Sequence, residues 1–410
     1  VAGSAYTFSY ATFGEFIAWI IGWDLILEFA IGAAVVAKGW SSYLGTVFGF
    51  SGGVVPLGPL NFDWGALLIV VIVATLLALG TKLSANFSAV ITAIKVAVVL
   101  LVVIVGSFHI KPANYSPFLP PASAADASGS GLNQSVFSLL TGATGSHYGW
   151  YGLLAGASIV FFAFIGFDVV ATTAEETKDP QRDVAKGILA SLAIVTVLYV
   201  AVSVVLSGMV SYTELKTTDG HAANLATAFA ANGINWAATI ISVGALAGLT
   251  TVVMVLMLGQ SRVLFAMARD GLLPRSLAKT GPHGTPVRVT MLVAVLIAVA
   301  ASVFPIDKLE EMVNVGTLFA FVLVSAGVII LRRTRPDLPR GFRVPLVPLI
   351  PIASILACAW LMLNLTGLTW VRFLIWMGIG VVVYAVYGRS HSVLGQRMHA
   401  EKPLSSPNTE

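Results

Sequence analysis

Apolar runs of about twenty residues recur along the whole chain, and their length is the feature that most limits the possible fold. A helix of about twenty residues crosses the hydrocarbon core of a bilayer. Of the 410 residues, 57% are hydrophobic and 10% are charged, whereas a soluble domain carries roughly 25% charged residues. Because backbone groups in lipid must bond within their own segment, such runs must be helical. The chain is therefore predicted to be an all-α integral membrane protein.

The apolar runs predict ten spanning helices joined by short polar links. Their predicted bounds are 14–36, 64–81, 86–108, 152–174, 186–208, 235–260, 288–304, 310–331, 346–365 and 370–388. The longest link, 109–150, is interpreted as a surface loop that contains short helices. Residues 1–390 are then a single membrane domain, and 391–410 are a polar tail.

Lysine and arginine predict the orientation, because cytoplasmic links carry more of them. When the links alternate between the two sides, seventeen of the 23 lie on one side and five, including Lys38, on the other. The richer side is assigned to the cytoplasm, which places both ends of the chain there. The arginine-rich link 332–343 is interpreted as contacting the headgroups of the lipid bilayer, and no nucleic acid partner is expected.

Four ionisable residues stand out inside the predicted spans, where such groups are usually functional or paired. Asp24 and Glu28 are four residues apart and share a helix face, and at low dielectric they should not both be charged. Structural hydrogen bonding to neighbouring helices is the alternative for this pair. Lys95 is too deep to reach water easily, so it is interpreted as a proton carrier, with a permanently charged, paired lysine as the alternative. The fourth residue is Asp168.

The fourth predicted span contains Gly166 among aromatic residues, with Asp168 after it. Transporters bind substrate at interrupted helices, where unwound backbone offers free N–H and C=O groups. The pattern is compatible with a break at 163–167, and equally with a glycine that serves helix packing. Gly244 and Gly248 in the sixth span are expected to serve close packing.

Other kinds of functional site have little support in the sequence. Cys358 is the single cysteine, so no disulfide can form within the chain, and we interpret it as a small packing residue. The six histidines lack metal-ligand spacing, and no phosphate loop or nucleophile elbow is present. No metal and no cofactor are expected.

Four stretches of the chain carry a resemblance to a known family. They are GSAYTFSYATFGEFIAWIIGWDLILEF, FFAFIGFDVVATTAEETKDPQRD, GQSRVLFAMARDGLLP and VGTLFAFVLVSAGVIILRRTRPDLPRGFRVPLVPLIP. In this order and spacing they resemble the amino acid–polyamine–organocation superfamily, and within it the bacterial cationic amino acid transporter family. The resemblance covers essentially residues 1–390.

The resemblance implies the leucine-transporter-type fold, in which two inverted repeats of five helices each begin with a broken helix. Family members are similar in having twelve spans, so the ten helices here would be spans three to twelve. The chain begins at Val1 and is interpreted as N-terminally truncated, without the first two spans. Because the first span supplies half of the family's binding site, we expect this fragment alone not to bind an amino acid.

The broken sixth span of the family matches residues 161–168 here. The resemblance implies that the carbonyls of Phe162, Ala163 and Ile165 receive the α-ammonium of the substrate. It also implies that the ring of Phe162 closes over the bound amino acid as a lid. Asp168 occupies the place of an acid in relatives and is a candidate for proton coupling.

The remaining site residues come from three other spans. Glu28 matches an acid that faces the side-chain pocket, and Leu256 or Met257 would form the pocket wall, with the register between them left open. Lys95 matches the lysine that takes the place of a sodium ion in proton-coupled relatives. Together with Asp168, it is the predicted proton-coupling group, and the proton is the only expected coupling ion.

The predicted function is secondary active import of an amino acid across the plasma membrane, by proton symport and alternating access. Exchange of internal for external amino acid is the main alternative. An intramembrane aspartyl protease using Asp24 and Asp168, or a channel or receptor, fits less well. The pocket residues favour small neutral substrates such as alanine over cationic ones. The sequence leaves the oligomeric state open.

Overall fold

A computed structural model describes most of the chain. The described residues are 6, 9, 10, 13–49, 54–57, 60–80, 85–122, 130–143, 146, 148–166, 169–172, 179–212, 223–279, 286–337, 342–393 and 396.

Fourteen α-helices follow one another along these residues. Their bounds are α1 Glu15–Phe48, α2 Trp64–Ala78, α3 Ala85–Ser107, α4 Val136–Thr141, α5 Gly149–Val160, α6 Val169–Thr172, α7 Pro180–Met209, α8 Leu225–Ala231, α9 Asn235–Arg269, α10 Val287–Val303, α11 Ile306–Thr334, α12 Leu349–Leu363, α13 Gly367–Val383 and α14 Arg389–His391. Short 3₁₀ segments lie at Pro112–Tyr115, Gly131–Asn133, Phe161–Phe164 and Arg275–Ala278, and one π-helical turn lies at Tyr384–Gly388.

Each of the ten predicted spans contains at least one of these helices. Within the described ranges, six helices are long and apolar enough to cross a membrane, namely those at Glu15–Phe48, Ala89–Ser107, Arg182–Met209, Asn235–Arg269, Ile306–Thr334 and Gly367–His391. The other four predicted spans correspond to shorter apolar helices. The all-α membrane class is thereby supported, and the short helices expected in the long link are present as α4 and two 3₁₀ segments.

The first helix is longer than predicted, and this changes the assignment of Lys38. The α1 helix continues past residue 36 to Phe48, and Gly49 ends it in the left-handed conformation with φ 69°. Its 34 residues span about 51 Å, more than the hydrocarbon core of about 30 Å. Lys38, predicted to lie in a link, is instead inside α1, with its Nζ 3.6 Å from Asp63 Oδ2. A hydropathy pattern marks the apolar part of a helix and not its polar extension.

A small antiparallel hairpin follows α1 and was not predicted. Strand β1 (Val54–Leu57) pairs with strand β2 (Leu60–Asp63), with Val54 opposite Asp63. Asp63 ends the hairpin and begins α2, because its Oδ1 accepts hydrogen bonds from the Ala66 amide at 2.9 Å and the Ser41 hydroxyl at 2.6 Å. A capping side chain of this kind satisfies a backbone donor that the first turn leaves free.

The α1 helix is the centre of the bundle and packs against α2, α9, α10 and α11. Two tryptophans of α1 also join it to α13. Trp19 Nε1 donates to the carbonyl of Gly380 at 2.8 Å, and Trp23 Nε1 donates to the carbonyl of Trp376 at 2.9 Å. The rings of Trp23 and Trp376 stack at 4.6 Å. Residues on α1 are therefore positioned by several helices at once.

The predicted packing role of Gly244 and Gly248 on α9 is confirmed. A Cβ on Gly244 would overlap the side chain of Val98, and one on Gly248 would lie 3.3 Å from the stem of Lys95. Both glycines therefore let α3 approach α9 closely.

The end of the bundle that the lysine and arginine count assigns to the cytoplasm holds a cluster of tyrosines and acids. Tyr6 Oη donates to Asp270 Oδ2 at 2.8 Å, and Tyr384 Oη donates to Glu15 Oε1 at 3.0 Å. Burial, followed by the negative charge of Asp270, raises the pKa of Tyr6. Burial and the neighbouring Glu15 raise the pKa of Tyr10 to about 12. These tyrosines are therefore neutral donors that join the start of α1 to the ends of α9 and α13.

Candidate functional site

The fourth predicted span is interrupted in its middle. Helix α5 ends at Val160, a 3₁₀ segment covers Phe161–Phe164, and Ile165 is extended, with φ −68° and ψ 137°. Gly166 follows with φ 116°, a conformation that side chains with a Cβ rarely adopt. The next described residue, Val169, lies in the helix α6. The interruption lies where the aromatic and glycine pattern places it.

Two of the three carbonyls predicted to hold the α-ammonium accept hydrogen bonds in this structure. The carbonyl of Phe162 accepts from the Ile165 amide at 3.1 Å. The carbonyl of Ala163 accepts from the hydroxyl of Tyr199, a side chain on α7. The Phe162 side chain is half-buried and packs on the main apolar core. Asp168, the predicted acid after the break, lies outside the described residues.

Asn314 on α11 holds the end of α5, the half-helix before the break, and was not identified from the sequence. Its Nδ2 donates to the carbonyl of Ser158 at 2.9 Å and to that of Ile159 at 3.1 Å. These carbonyls belong to the last turn of α5, whose acceptors lose partners where a helix stops. Asn314 is fully buried. An amide inside an apolar span was the available signal, since intramembrane polar groups usually have a specific partner.

Asp24 and Glu28 are both buried on α1. Asp24 faces α11, where a Cβ on Gly316 would lie 2.8 Å from Asp24 Oδ1. In the part of the chain that the structure describes, neither carboxylate oxygen of Asp24 has a hydrogen-bond partner. The structural alternative for Asp24, a carboxylate bonded to neighbouring helices, is therefore not observed there.

Three elements of the predicted site meet at Gly259 on α9. A Cβ at this glycine would lie 3.6 Å from the ring of Phe29 on α1 and 3.7 Å from Val169 on α6. Phe29 follows Glu28 directly, and Val169 begins the helix after the break. Because Gly259 has no side chain, the part of α1 that carries Glu28 can lie next to the interrupted helix.

The predicted pocket wall lies close to this meeting point. Leu256 and Met257 are both buried. A Cβ on Gly32 of α1 would lie 3.7 Å from Leu256 Cδ1, so Leu256 contacts α1 one turn beyond Glu28. Gln260, one turn further along α9, donates from Nε2 to the carbonyl of Ile26 at 3.2 Å and was not predicted.

Lys95 lies on α3, on another side of α9. Its stem rests against Gly248, and the side chain is half-buried. Among the described residues, no carboxylate lies within 4.0 Å of its ammonium group. The structure thus brings Lys95 to α9, the helix that also carries Leu256, but it does not pair Lys95 with Glu28.

A cavity of about 430 Å³ lies beside α5. It is lined by one face of that helix, by Glu311 at the start of α11, and by Asn364, Leu365 and Thr366 between α12 and α13. The hydroxyl of Thr366 donates to Glu311 Oε2 at 2.8 Å. The α5 half of the interrupted helix therefore has a partly open space behind it. No group of three or more His, Cys, Asp or Glu suited to a metal ion occurs in the described ranges.

A family model described as Amino acid permease matches residues 1–385. The chain belongs to the amino acid permease family. Over 408 residues the permease is 42% identical to the branched-chain amino acid permease BcaP of Bacillus subtilis strain 168, covering 97% of this chain and 81% of that protein. It is 40% identical over 406 residues to the methylthioribose transporter of the same organism, with the same coverage. It is 29% identical over 530 residues to the vacuolar cationic amino acid transporter 4 of Arabidopsis thaliana, covering 97% and 83%.

The superfamily indicated by the sequence motifs is confirmed by these matches. The relatives are named as permeases or transporters, so the permease is a multi-pass membrane transporter and not an enzyme. This excludes the intramembrane protease that Asp24 and Asp168 suggested.

Proposed function

We propose that the permease imports neutral amino acids across the plasma membrane by proton symport with alternating access. The observation that carries the proposal is the interruption of the α5–α6 helix next to α1 and α9. Irregular backbone at membrane depth is tolerated where it lines a cavity or a binding site. We also propose that the helices belong to two inverted repeats of five helices each. The ten predicted spans would then be spans three to twelve of the family, with both ends of the chain in the cytoplasm.

The carbonyls of Phe162, Ala163 and Ile165 would receive the α-ammonium, which needs acceptors that a regular helix does not offer. The ring of Phe162 would cover the substrate. Glu28 lies one turn before the contact of Leu256 with α1, so the acid and the proposed pocket wall lie at a similar depth.

Lys95 is the proposed proton-coupling group, with Asp168 as a second candidate. Its stem lies against Gly248, so a protonated ammonium group would lie beside α9, the helix that also carries Leu256 and Met257. A proton can shift the equilibrium between outward-open and inward-open states only if it binds the two states with different affinity. The proton affinity of Lys95 would differ between the two states if α3 and α9 move relative to each other and change the contacts of its ammonium group.

Neutral substrates are favoured by two observations. The branched-chain amino acid permease of B. subtilis aligns over nearly the whole chain, and branched-chain amino acids are neutral. Leu256 and Met257 are large and buried, which limits the space for a long cationic side chain. The similarity to a cationic amino acid transporter keeps cationic substrates, with Glu28 as partner, as the second candidate.

Transport in reconstituted liposomes tests the function, and the parent protein in this and all later experiments carries the two N-terminal spans that the family resemblance implies. We expect alanine or leucine to accumulate above its external concentration when the outside is more acidic, and a protonophore to abolish the accumulation. Arginine should accumulate much less. Uptake that needs preloaded amino acid and ignores the proton gradient would identify an exchanger instead. If no amino acid is taken up or exchanged, the proposal is wrong.

A further inference from the structure

Tyr199 joins α7 to the interrupted segment through both parts of its side chain. Its hydroxyl donates to the carbonyl of Ala163. Its ring packs edge-on against Phe164, with centroids 5.0 Å apart and an interplanar angle of 77°. This contact was not expected from the sequence, in which Tyr199 is one aromatic residue of an apolar span.

The donors to the other carbonyls near the break are a backbone amide and a fully buried side chain. The Ile165 amide donates to the carbonyl of Phe162, and Asn314, which is fully buried, donates to those of Ser158 and Ile159. Ala163 differs because its donor, the hydroxyl of Tyr199, belongs to a side chain that is 37% exposed. The same carbonyl is one of the three proposed to receive the substrate.

We propose that Tyr199 is a stand-in donor, which occupies the Ala163 carbonyl while the site is empty and is displaced by the α-ammonium of the amino acid. This inference rests on the proposed function. An unpaired carbonyl at membrane depth is costly whenever water is excluded from it, as it is when the empty site closes during the return step. The closed, empty transporter therefore needs a donor at this position, and Tyr199 supplies one. A charged ammonium forms a stronger hydrogen bond than a neutral hydroxyl, so the substrate displaces the Tyr199 hydroxyl from the Ala163 carbonyl.

The proposal predicts opposite effects on binding and on the return of the empty transporter. Without the hydroxyl, the amino acid no longer competes for the carbonyl and binds more tightly. The empty site would have an unpaired carbonyl, so the empty transporter would change state more slowly. Net uptake requires that empty return step, whereas exchange of internal for external amino acid does not.

Tyr199→Phe is the appropriate variant because it keeps the ring contact with Phe164 and removes only the hydroxyl. Tyr115→Phe is a matched control: the Tyr115 hydroxyl donates to the Val204 carbonyl at 2.7 Å, also on α7 but away from the break. Both variants would be compared in liposomes for net uptake into empty vesicles and for exchange into preloaded ones. Binding would be measured by titration of the purified proteins with the transported amino acid.

For Tyr199→Phe we expect the Kd to fall about threefold to tenfold, as for loss of one competing neutral hydrogen bond. Net uptake should fall at least about threefold while exchange stays within about twofold of the parent. Tyr115→Phe should leave the ratio of the two fluxes unchanged. A carbonyl can accept two hydrogen bonds, so weaker binding would mean that Tyr199 and substrate share the acceptor, which overturns the displacement. An equal loss of both fluxes would also overturn it. If the parent protein shows neither flux, the proposed function itself fails.

Discussion

Lys95 is the residue on which proton coupling depends, since its stem lies against Gly248 and no carboxylate is within reach among the described residues. Lys95→Ala should abolish accumulation driven by an inward proton gradient, because the variant lacks the group that binds the proton. Substrate binding should survive, as Lys95 is not expected to touch the amino acid. The measurement is uptake into liposomes with and without the gradient. Lys308→Ala, at a lysine near the start of α11, is the control and should stay coupled. If the Lys95→Ala variant still accumulates amino acid in response to the gradient, Lys95 is not the proton-coupling group, and Glu28 or Asp168 becomes the candidate.

Phe162 is the proposed lid over the bound amino acid. Phe162→Ala should reduce uptake about tenfold, a loss of about 1.4 kcal/mol, because an alanine cannot exclude water from the closed site. Phe161→Ala is the control, since the Phe161 ring packs against Phe321 of α11 instead, with centroids 6.1 Å apart. Initial uptake rates, normalised to the amount of reconstituted protein, measure the effect. Equal rates for Phe162→Ala and the parent would remove the lid assignment.

Leu256 and Met257 are the two candidates for the pocket wall. Shortening the one that faces the pocket to serine should admit arginine, because removal of a clash is enough to change specificity. The measurement is competition by arginine and lysine against uptake of a neutral amino acid. Val255→Ser is the control, since Val255 is 40% exposed on the outside of α9. An unchanged substrate profile in both Leu256→Ser and Met257→Ser would place the wall elsewhere.

At the scale of elements, α11 holds the α5 half of the interrupted helix through Asn314. Asn314→Ala removes two hydrogen bonds to the end of α5, so we expect a loss of about 1–3 kcal/mol in stability and lower affinity for the amino acid. Asn232→Ala is a matched control, because Asn232 also donates to two carbonyls, those of Met209 and Ala228. That control should lower the thermal midpoint without changing the Kd. A normal Kd in Asn314→Ala would show that α11 does not position the binding segment.

At the scale of the whole molecule, the lysine and arginine distribution predicts which links face outward. Cys358 is the only cysteine, so Cys358→Ala provides a background without thiols. Phe118→Cys, in the long link where Phe118 is 90% exposed, should react with a membrane-impermeant thiol reagent in intact cells. Asp337→Cys, at an exposed position after α11, should react only after the membrane is opened. The reverse pattern would invert the predicted orientation.

Much of the fold could be predicted because the bilayer constrains the sequence so strongly. Apolar length predicts where helices lie, since a helix must match the membrane thickness and its backbone must be bonded internally. The same logic marked Asp24, Glu28 and Lys95 as unusual, because intramembrane charge is costly. Gly166 with its aromatic neighbours marked the interruption, although composition alone could not distinguish a break from a packing glycine.

The tertiary structure decided which side chains contact the end of α1 and the backbone at the helix interruption. The part of α1 beyond residue 36 contacts Asp63 through Lys38 and Ser41, and Asp63 ends a hairpin that the local pattern does not reveal. Asn314 and Tyr199 reach the break from helices that are distant in sequence, and a hydropathy profile contains no information about which helices will be neighbours. The sequence by itself determined that the chain crosses a membrane, where the apolar parts of its helices lie and which family it belongs to. Only the packing of those helices determined which donors satisfy the backbone where one of them is interrupted, because an exposed carbonyl can be paired by any helix that folding brings within reach.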